Sequence, residues 1–298
     1  MPPMPSPPKP RIDLPYLPFV IDVVGQFPPD RLQVAFDPAP RPTTPDLDRL
    51  IAAEWDRQMA LAKEHDRLLF NGELFRYVDH RVADDAGSDP TFHLTVGPTC
   101  YRDFVGTNLY NHHRLAEFGW HRFSNPIGTT ATLVTADGRI CYGRRSARVA
   151  YHAGHVHTFG GGLEKRDRRP DGTIDPFDSL CRELAEELNL RRSELSNLFC
   201  AGLVRDREIH QPELLFEAEL SLSYGELNRR WETAEARHEH DELVDLNDAP
   251  DAIVPFIAAC DLIAPVAVGA LFLHGRRRWG DRWLNEAANA YRAALAEQ

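Results

Sequence analysis

The segment between Asp175 and Leu190 carries the strongest local structural signal in the chain. Asp175 is a favourable N-cap residue, and Pro176 suits the first position of a helix. Apolar residues then recur at helical spacing, at Phe177, Leu180, Cys181, Leu184 and Leu188. The pattern predicts a capped amphipathic helix that buries one face.

Three glutamates lie on one flank of that predicted apolar stripe. At about 100° per residue, Glu183, Glu186 and Glu187 point to the same side of the helix. Like charges at this spacing repel each other and cost about 0.2–0.5 kcal/mol per pair. Their presence favours a bound cation, and clustered carboxylates suit Mg²⁺, which prefers oxygen ligands and substrate phosphates. The spacing is equally compatible with a solvated acidic face.

The overall charge limits the classes of partner. The chain has 298 residues and a net charge of -11, which argues against a general binder of nucleic acids or anionic membranes. No apolar run reaches the roughly 18 residues of a membrane span, and the proline-rich N-terminus does not resemble a secretory signal. We therefore expect a small-molecule partner, with no nucleic acid and no membrane.

The five cysteines indicate a reducing compartment. They are scattered along the chain, odd in number and free of any C-x-x-C pair, at Cys100, Cys141, Cys181, Cys200 and Cys260. We expect reduced thiols and a cytoplasmic location.

Shifts in composition divide the chain into three parts. Residues 1–18 are rich in proline and are predicted to form an extended or disordered tail. Residues 19–127 form an N-terminal α/β region, and residues 128–298 open with a hairpin signal at Asp137-Gly138. Because strands and helices alternate without a Rossmann order, the expected class is α+β, with layers packed on a mixed sheet.

Several individual elements can also be predicted. A helix is expected over residues 45–64, a second over residues 110–119, and closing helices over residues 266–274 and 283–296. A short strand is expected over residues 253–256. The acidic segment 233–251 is predicted to be a surface loop.

The glycine turn and the glutamate helix together resemble the Nudix box of pyrophosphohydrolases. Arg182-Glu183-Leu184 and Glu186-Glu187 match the R-E-U-x-E-E core of that box, where U is a bulky aliphatic residue, and Gly160–Gly162 supply the preceding turn. Ile174 stands where an earlier glutamate is expected. Asn189 replaces the helix-ending glycine, and asparagine is the next-best residue for a left-handed cap. The loop between the glycines and the helix is longer than the pattern allows.

Two further segments resemble the Nudix hydrolases that split UDP-glucose and UDP-galactose. These are Thr99–Asn108, which reads T-C-Y-R-D-F-V-G-T-N, and Gly143–Ser146. The resemblance implies a Nudix-type α/β/α sandwich around a mixed sheet, with an N-terminal α/β extension. It also implies Mg²⁺-dependent hydrolysis of the diphosphate bond of UDP-sugars, which gives UMP and a sugar 1-phosphate.

The resemblance also implies roles for the residues of the box. Glu183 and Glu187 would bind Mg²⁺ directly, with Mn²⁺ as a possible substitute, and Glu186 would be a third ligand or would hold the attacking water. Backbone carbonyls of the glycine turn, at Gly161, could approach the metal because glycine permits close contact. Arg182 is expected to orient a glutamate of the box.

The general base has two candidates. Glu186 is the first choice, and Glu239 in the acidic segment is the second, with a solvated loop charge as the alternative for Glu239. Glu213 begins a predicted strand at a position where the subfamily also has glutamate. It is therefore a substrate-site candidate, with a strand-edge solvent charge as its alternative.

Substrate contacts are predicted in two places. Arg144 and Arg145 are adjacent on a strand end, so only one of them can face a pocket, where it could bind phosphate. The candidate nucleoside site comprises Tyr101, Arg102, Asp103, Phe104 and Asn108. The alternative is that this segment packs the N-terminal region against the Nudix unit. No histidine spacing indicates a metal site, and all are interpreted as ordinary surface or core residues.

Two other functions remain open at this point. The chemistry could act on another nucleoside diphosphate derivative, such as ADP-ribose, a dinucleotide or a coenzyme A derivative. The departures at Ile174 and Asn189 also allow a non-catalytic module that binds a nucleotide.

Overall fold

The computed structural model describes residues 11–65, 69–83, 89–149 and 151–297. The strands in these ranges are β1 (Phe19–Phe27), β2 (Leu32–Phe36), β3 (Glu73–Ala83), β4 (Thr91–Cys100), β5 (Gly128–Val134), β6 (Arg139–Arg145), β7 (Val156–His157), β8 (Phe159–Gly162), β9 (Leu195–Asp206), β10 (Pro212–Leu220) and β11 (His240–Asn247). The α-helices are α1 (Pro45–Glu64), α2 (Tyr101–Phe104), α3 (Leu115–Phe118), α4 (Pro176–Leu188), α5 (Tyr224–Trp231), α6 (Ile253–Ala259) and α7 (Pro265–Glu297). A π-helical segment, Val105–Leu109, follows α2 directly.

A mixed sheet forms the centre of the molecule. Its strands lie in the order β1-β9-β10-β5-β6-β11, with β7 paired to β6 and β8 paired to β5. Strands β5 and β10 run parallel, whereas the other pairs are antiparallel. The parallel pair joins segments that are distant in sequence, so Gly128 lies beside Glu213.

Helices cover both faces of the mixed sheet because successive side chains of a strand point to opposite faces. In β10, Leu214 and Phe216 pack in the core that contains Leu184 of α4. Leu215 packs in the other core, which contains Phe272 of α7. The prediction of an α+β fold on a mixed sheet is confirmed, and the layers form an α/β/α sandwich.

The N-terminal region is continuous with this sandwich. Strand β1 pairs with β9 in the mixed sheet, while β2, β4 and β3 form a separate three-stranded sheet. Backbone hydrogen bonds from Phe75 to Leu163 and from Ile127 to Phe75, at 2.8 and 2.9 Å, join the two sheets. The boundary predicted between residues 127 and 128 falls at the start of β5, within this continuous structure.

Residues 11–18 also belong to the folded unit. Ile12 forms a bridge with Ile21 of β1, and Leu17 is buried in the core below α7. Arg207 donates a hydrogen bond of 2.8 Å to the Leu17 carbonyl. The prediction that the extended or disordered tail reaches residue 18 is therefore wrong for residues 11–18. Residues 1–10 lie outside the described residues.

The acidic segment 233–251 is not the surface loop that its charge predicts. Residues 240–247 form β11, which pairs with β6. Arg144 forms an ion pair of 2.6 Å with Glu242, and Arg139 pairs with Asp245. Arginines of the neighbouring strand β6 therefore neutralise Glu242 and Asp245, so the acidic composition of the segment does not make it a solvated loop.

Three further elements differ from their prediction. Residues 253–259 form α6 instead of a strand, since a short apolar run does not by itself distinguish the two. Residues 112–118 form a short 3₁₀ turn and α3 instead of one helix. The two closing helices are contiguous in α7, with a break at Gly280, whose φ is 83°. No helix in the described ranges is both long and apolar enough to cross a membrane.

Candidate active site

Helix α4 begins and ends at the residues that the sequence indicates. The Asp175 side chain accepts a hydrogen bond of 2.9 Å from the Phe177 backbone, which caps the first turn. Asn189 adopts the left-handed conformation at the other end, with φ of 54° and ψ of 37°. The helix is thereby fixed over β8, and its glutamates meet the glycine turn.

Glu187 lies in the interior, against β8. Its side chain is 2% exposed and accepts a hydrogen bond of 2.8 Å from the Gly160 backbone. Burial raises the pKa of Glu187 well above its usual range, and the charges of Glu239 and Glu183 raise it further. The protein thus holds a carboxyl group here without a full counter-charge.

Glu183 occupies the neighbouring position. Its carboxyl group lies so close to Gly161 that a β-carbon at that position would come within 2.6 Å of it. Burial raises the pKa of Glu183 to about 7, although Arg182 partly offsets the effect. A side chain at position 161 would therefore displace this carboxyl group, whereas glycine leaves it room.

Arg182 links the glutamates to the preceding loop. Its guanidinium contacts Glu183 at 2.7 Å, Glu186 at 3.4 Å and Asp167 at 3.0 Å. Glu186 is the most exposed of the three glutamates, at 32% of its side chain. The arginine therefore orients two glutamates of the helix, as the sequence resemblance predicts.

Asp167 is a residue that sequence reasoning missed. It lies in the 3₁₀ turn Lys165–Asp167 of the long loop and accepts hydrogen bonds from Ser179 at 2.9 Å and the Glu164 backbone at 2.7 Å. Ile174, which stands at the expected glutamate position, is instead buried in the core. The long loop thus supplies the acidic partner of Arg182 from a different position. In the sequence, the only sign of this role is the spacing of Glu164 and Asp167, which suits a capping pair.

Replacing Asp167 with asparagine is expected to lower kcat about tenfold, because a partner that orients a metal-site residue typically contributes 10–100-fold. Asp171→Asn in the same loop is the matched control, since Asp171 is exposed and accepts its hydrogen bonds from the neighbouring Thr173. Steady-state hydrolysis rates at saturating metal measure the effect. Equal kcat values for the two variants would show that Asp167 does not position Arg182.

The donor set fits a hard divalent cation. Glu183 and Glu187 are largely buried carboxylates with raised pKa values, and the backbone of Gly161 adjoins one of them. Across the described ranges, no group of three or more His, Cys, Asp or Glu side chains is arranged to hold a metal ion by itself. Mg²⁺ typically binds through one or two carboxylates plus waters and substrate phosphates, so two carboxylates are sufficient.

A cavity of about 110 Å³ opens beside the glycine turn. Its lining includes Arg145, Tyr151, His157 and Glu213 together with Gly160–Gly162. The Arg145 guanidinium donates a hydrogen bond of 3.0 Å to the Tyr151 carbonyl. Arg145 and the glycine turn Gly160–Gly162 therefore line the same small space, and Glu183 and Glu187 pack against that turn from α4.

Only one of the two adjacent arginines reaches this cavity. Arg145 lines it, whereas Arg144 points away and pairs with Glu242 on β11. This placement corrects Arg144 as a substrate-site candidate. The cause is the alternation of side chains along β6.

Glu213 lines the cavity from β10. Burial raises the pKa of Glu213 to about 8, the Asp206 charge raises it further, and Arg145 lowers it. Its carboxyl group lies against Gly128, where a β-carbon would come within 1.8 Å. Glu213 therefore is not a solvent charge at a strand edge.

Glu239 is brought next to the glutamate helix. It ends the 3₁₀ turn Arg237–Glu239, and its carbonyl accepts a hydrogen bond of 2.8 Å from Ser146. The same turn is tied to α4 by a bond of 2.8 Å from Ala236 to the Glu186 carbonyl. The Glu239 charge acts on Glu187. The second candidate base therefore lies close to the buried carboxyl group of Glu187.

The segment from Tyr101 to Asn108 divides into different roles. Asn108 is fully buried and donates to Asn125 at 2.9 Å and to the Ile209 carbonyl at 2.8 Å, while its oxygen accepts from the Asn125 backbone. Asp103 pairs with Arg41 at 2.7 Å. These contacts correct the prediction that Asn108 and Asp103 contact a nucleoside, because their polar groups already hold the fold together.

The other members of the segment lie at or near a second pocket, which is located between α1 and Tyr101. Tyr101 lines it directly. Phe104 is buried and packs between the rings of Tyr101 and Tyr151, each with a centroid distance of 6.0 Å. The Arg102 backbone N–H donates a hydrogen bond of 2.8 Å to the Asn71 side chain. Of the predicted nucleoside contacts, Tyr101 alone is placed to touch a ligand in that pocket.

Two histidines lie close to the glycine turn, one at the cavity and one in the core. His157 lines the active-site cavity. His240 is 1% exposed, and neither of its ring nitrogens has a hydrogen-bond partner within the described part of the chain. Its ring packs edge-on against Phe159 at 5.1 Å. Nothing in the local sequence distinguishes these two residues from the other histidines.

Comparison with known proteins places this geometry in context. No family model matches the chain. Nudix hydrolase 9 of Arabidopsis thaliana is 29% identical over 235 residues, which cover 67% of this chain and 71% of that protein. Uridine diphosphate glucose pyrophosphatase NUDT22 of Homo sapiens is 28% identical over 208 residues, 61% of this chain and 66% of that protein. The Bos taurus protein of the same name is 24% identical over 280 residues, 85% of this chain and 93% of that protein.

Solved structures with similar folds are more distant. DR0079 from Deinococcus radiodurans has a TM-score of 0.35 and 15% identity, and covers 52% of this chain and 83% of its own. A MutT protein from Methanosarcina mazei has a TM-score of 0.34 and 16% identity, and covers 52% of this chain and 95% of its own.

Proposed function

We propose that this chain, a Nudix pyrophosphohydrolase that resembles the UDP-glucose pyrophosphatases, hydrolyses the diphosphate bond of UDP-sugars to UMP and a sugar 1-phosphate. The observation that carries the proposal is the pair of carboxyl groups of Glu183 and Glu187 against Gly160–Gly161, beside a cavity that Arg145 lines. Relatives at 24–28% identity bear the name uridine diphosphate glucose pyrophosphatase. We further infer a cytoplasmic location from the pattern of cysteines in the sequence.

The residues that would hold the cation are those of the box. Glu183 and Glu187 would bind Mg²⁺, or Mn²⁺ in its place, with Glu186 as a third ligand. The Gly161 carbonyl, which accepts a hydrogen bond of 3.2 Å from the Thr129 hydroxyl, would be a backbone ligand of the same cation. A bound divalent cation would supply charge neutralisation on the diphosphate and would make a nearby water more acidic.

The chain's own residues would then perform three tasks. Arg145 would bind a phosphoryl oxygen, which a guanidinium can do through two parallel hydrogen bonds. Glu186 or Glu239 would accept a proton as the water oxygen forms its bond to phosphorus. The phosphoanhydride bond then breaks, and its bridging oxygen leaves with the departing phosphate. Glu213 would border the substrate in the same cavity.

Replacing Arg145 with alanine is expected to reduce kcat/KM for a UDP-sugar about 30-fold, since a hydrogen bond to a charged group contributes about 2 kcal/mol. Arg144→Ala is the matched control from the same strand, because its guanidinium pairs with Glu242 on the outer side. The initial rates of both variants give the comparison. A loss for Arg144→Ala that equals or exceeds that for Arg145→Ala would contradict the proposed phosphate contact.

Direct hydrolysis tests the proposed function. The intact protein is incubated with UDP-glucose or UDP-galactose and Mg²⁺ or Mn²⁺, and UMP and sugar 1-phosphate are separated by chromatography. A parallel panel contains ADP-ribose, a dinucleotide and a coenzyme A derivative, and chelation of the metal is the negative control. Preference for an adenine substrate would overturn the UDP-sugar assignment, and activity that survives chelation would overturn the metal requirement.

A further inference from the structure

A second pocket lies between α1 and the segment that begins with Tyr101. It has a volume of about 300 Å³, at the lower end of the range for small-molecule sites. Its polar lining consists of Arg57, Gln58, His65, Tyr101, Tyr110 and Arg148, and its remaining lining residues are aliphatic. The proposed hydrolysis assigns no role to this pocket.

The pocket is formed by closely packed backbone elements. The π-helical segment Val105–Leu109 approaches α1 at Gly106, where a β-carbon would come within 2.6 Å of the Ile51 Cα atom. The Trp55 ring packs edge-on against Tyr101 at 6.5 Å and fixes one wall. π-Helical turns occur frequently at functional sites. The wall between α1 and Tyr101 is therefore fixed by close packing.

The pocket adjoins the active-site cavity. Three rings separate the two spaces: Tyr101, Phe104 and Tyr151 contact one another in series, at 6.0 Å for each pair. Burial raises the pKa of Tyr101 to about 12, and the charge of Arg145, across this wall, partly offsets that rise. Arg145 is therefore close enough to act on Tyr101, and the two spaces are neighbours across one series of aromatic rings.

The lining chemistry distinguishes between the two halves of a nucleotide sugar. None of the residues that line the pocket is Asp, Glu or Asn. A sugar ring presents several hydroxyl groups that need acceptors, whereas a pyrimidine presents two carbonyl acceptors, one N–H donor and an aromatic face. The pocket is rich in donors and in aromatic surface, so it matches the base.

Gln58 supplies a specific pairing. It donates one N–H to Glu54 at 2.8 Å, which leaves its carbonyl oxygen and its second N–H for a ligand. A uracil edge offers the complementary N–H and carbonyl side by side. Arg57 is held by Glu54 at 2.6 Å and lies over the Tyr110 ring at 5.4 Å, so it borders the pocket in a fixed orientation.

We infer that this pocket binds the uracil base of the substrate, with the amide of Gln58 on its polar edge and Tyr101 in its wall. The inference rests on the proposed function for the identity of the ligand. It adds residues of α1, which the sequence did not single out, to the substrate site.

Binding of UMP to the intact protein, measured by calorimetry with the metal chelated, tests this inference. Gln58→Leu keeps the size of the side chain and is expected to weaken UMP binding about tenfold, while ribose 5-phosphate, which lacks the base, binds equally to both proteins. Gln33→Leu on the exposed face of β2 is the matched control and should leave both affinities unchanged. For UDP-glucose hydrolysis, KM should rise about tenfold for Gln58→Leu, with kcat nearly constant.

The outcomes separate this inference from the proposed function. UMP binding that depends on Gln58, in a protein that does not hydrolyse UDP-sugars, would support the pocket and overturn the function. Hydrolysis of UDP-glucose with an unchanged KM for Gln58→Leu would overturn the pocket alone. Weaker binding of glucose 1-phosphate, with UMP unaffected, would assign the pocket to the sugar and would also overturn the inference.

Discussion

Replacing Glu187 with glutamine is expected to reduce kcat/KM for a UDP-sugar by about 10³-fold, or about 4 kcal/mol of transition-state stabilisation. Glu187 is 2% exposed and accepts a hydrogen bond from the Gly160 backbone, so its carboxyl group is held against the glycine turn. Glutamine keeps the size of the side chain but removes the charge that a divalent cation requires. The initial rate of UMP release at saturating metal measures the loss.

The same variant, which is expected to lose activity, is not expected to lose thermal stability in the absence of metal. Burial and nearby carboxylates hold the pKa of Glu187 well above its usual range, so the metal-free protein gains nothing from the charge at this position. Without metal, Glu187→Gln should therefore have a Tm at least equal to that of the wild type. Addition of Mg²⁺ should raise the Tm of the wild type only.

Glu235→Gln provides the control for these measurements, because Glu235 is exposed and is not among the residues that line the cavity. It should match the wild type in rate, in Tm and in its response to Mg²⁺. Retention of activity within a few-fold by Glu187→Gln would remove Glu187 from the proposed metal site. A large loss of Tm without metal would indicate that the inactivity reflects unfolding.

The helix that carries Glu187 could be predicted from the sequence because its signals are local. Asp175, Pro176 and Asn189 determine where α4 begins and ends through contacts within a few residues. The opposite facing of Arg144 and Arg145 was likewise predictable, since it follows from strand geometry alone. Local sequence therefore indicated which carboxylates and which strand end to consider.

Contacts between distant segments could not be predicted in this way. Asp167 reaches Arg182 only because the long loop folds back over α4, and Asn108 is buried because Asn125 and Ile209 meet it from other parts of the chain. The segment Thr99–Asn108 resembles a subfamily of hydrolases, yet its Asp103 and Asn108 hold the fold together. A motif can thus indicate a family while most of its side chains are structural.

A buried charge network on the opposite face of the sheet is expected to make the free energy of unfolding depend on pH. His274 is fully buried in α7, and its ring nitrogens lie 2.8 Å from Glu217 and 2.9 Å from Asp248. Arg277 pairs with Glu217 at 2.7 Å, and Arg278 pairs with Asp248 at 2.9 Å. Because both ring nitrogens face carboxylates, each must donate, so the ring is most stable as the imidazolium.

The direction of the pH dependence follows from the pKa shifts. Burial lowers the pKa of His274, but hydrogen bonds to Asp248 and Glu217 outweigh this effect and raise it above 6.5. A raised histidine pKa stabilises the fold fully below about pH 6.5, and the contribution is lost as the pH rises through the folded value. The pKa values of Glu217 and Asp248 are lowered, so their contributions are lost only as the pH falls through those lower values.

Replacing His274 with leucine is therefore expected to lower the free energy of unfolding by about 3 kcal/mol at pH 6, because removal of one partner leaves buried carboxylates with less compensation. The difference from the wild type should narrow at pH 9, where the wild-type ring is increasingly neutral. Urea denaturation at both pH values measures it, with the exposed His113→Leu as the control. A loss that is the same at pH 6 and pH 9 would mean that His274 contributes by packing, and not as the cation that joins β10 to the segment after β11.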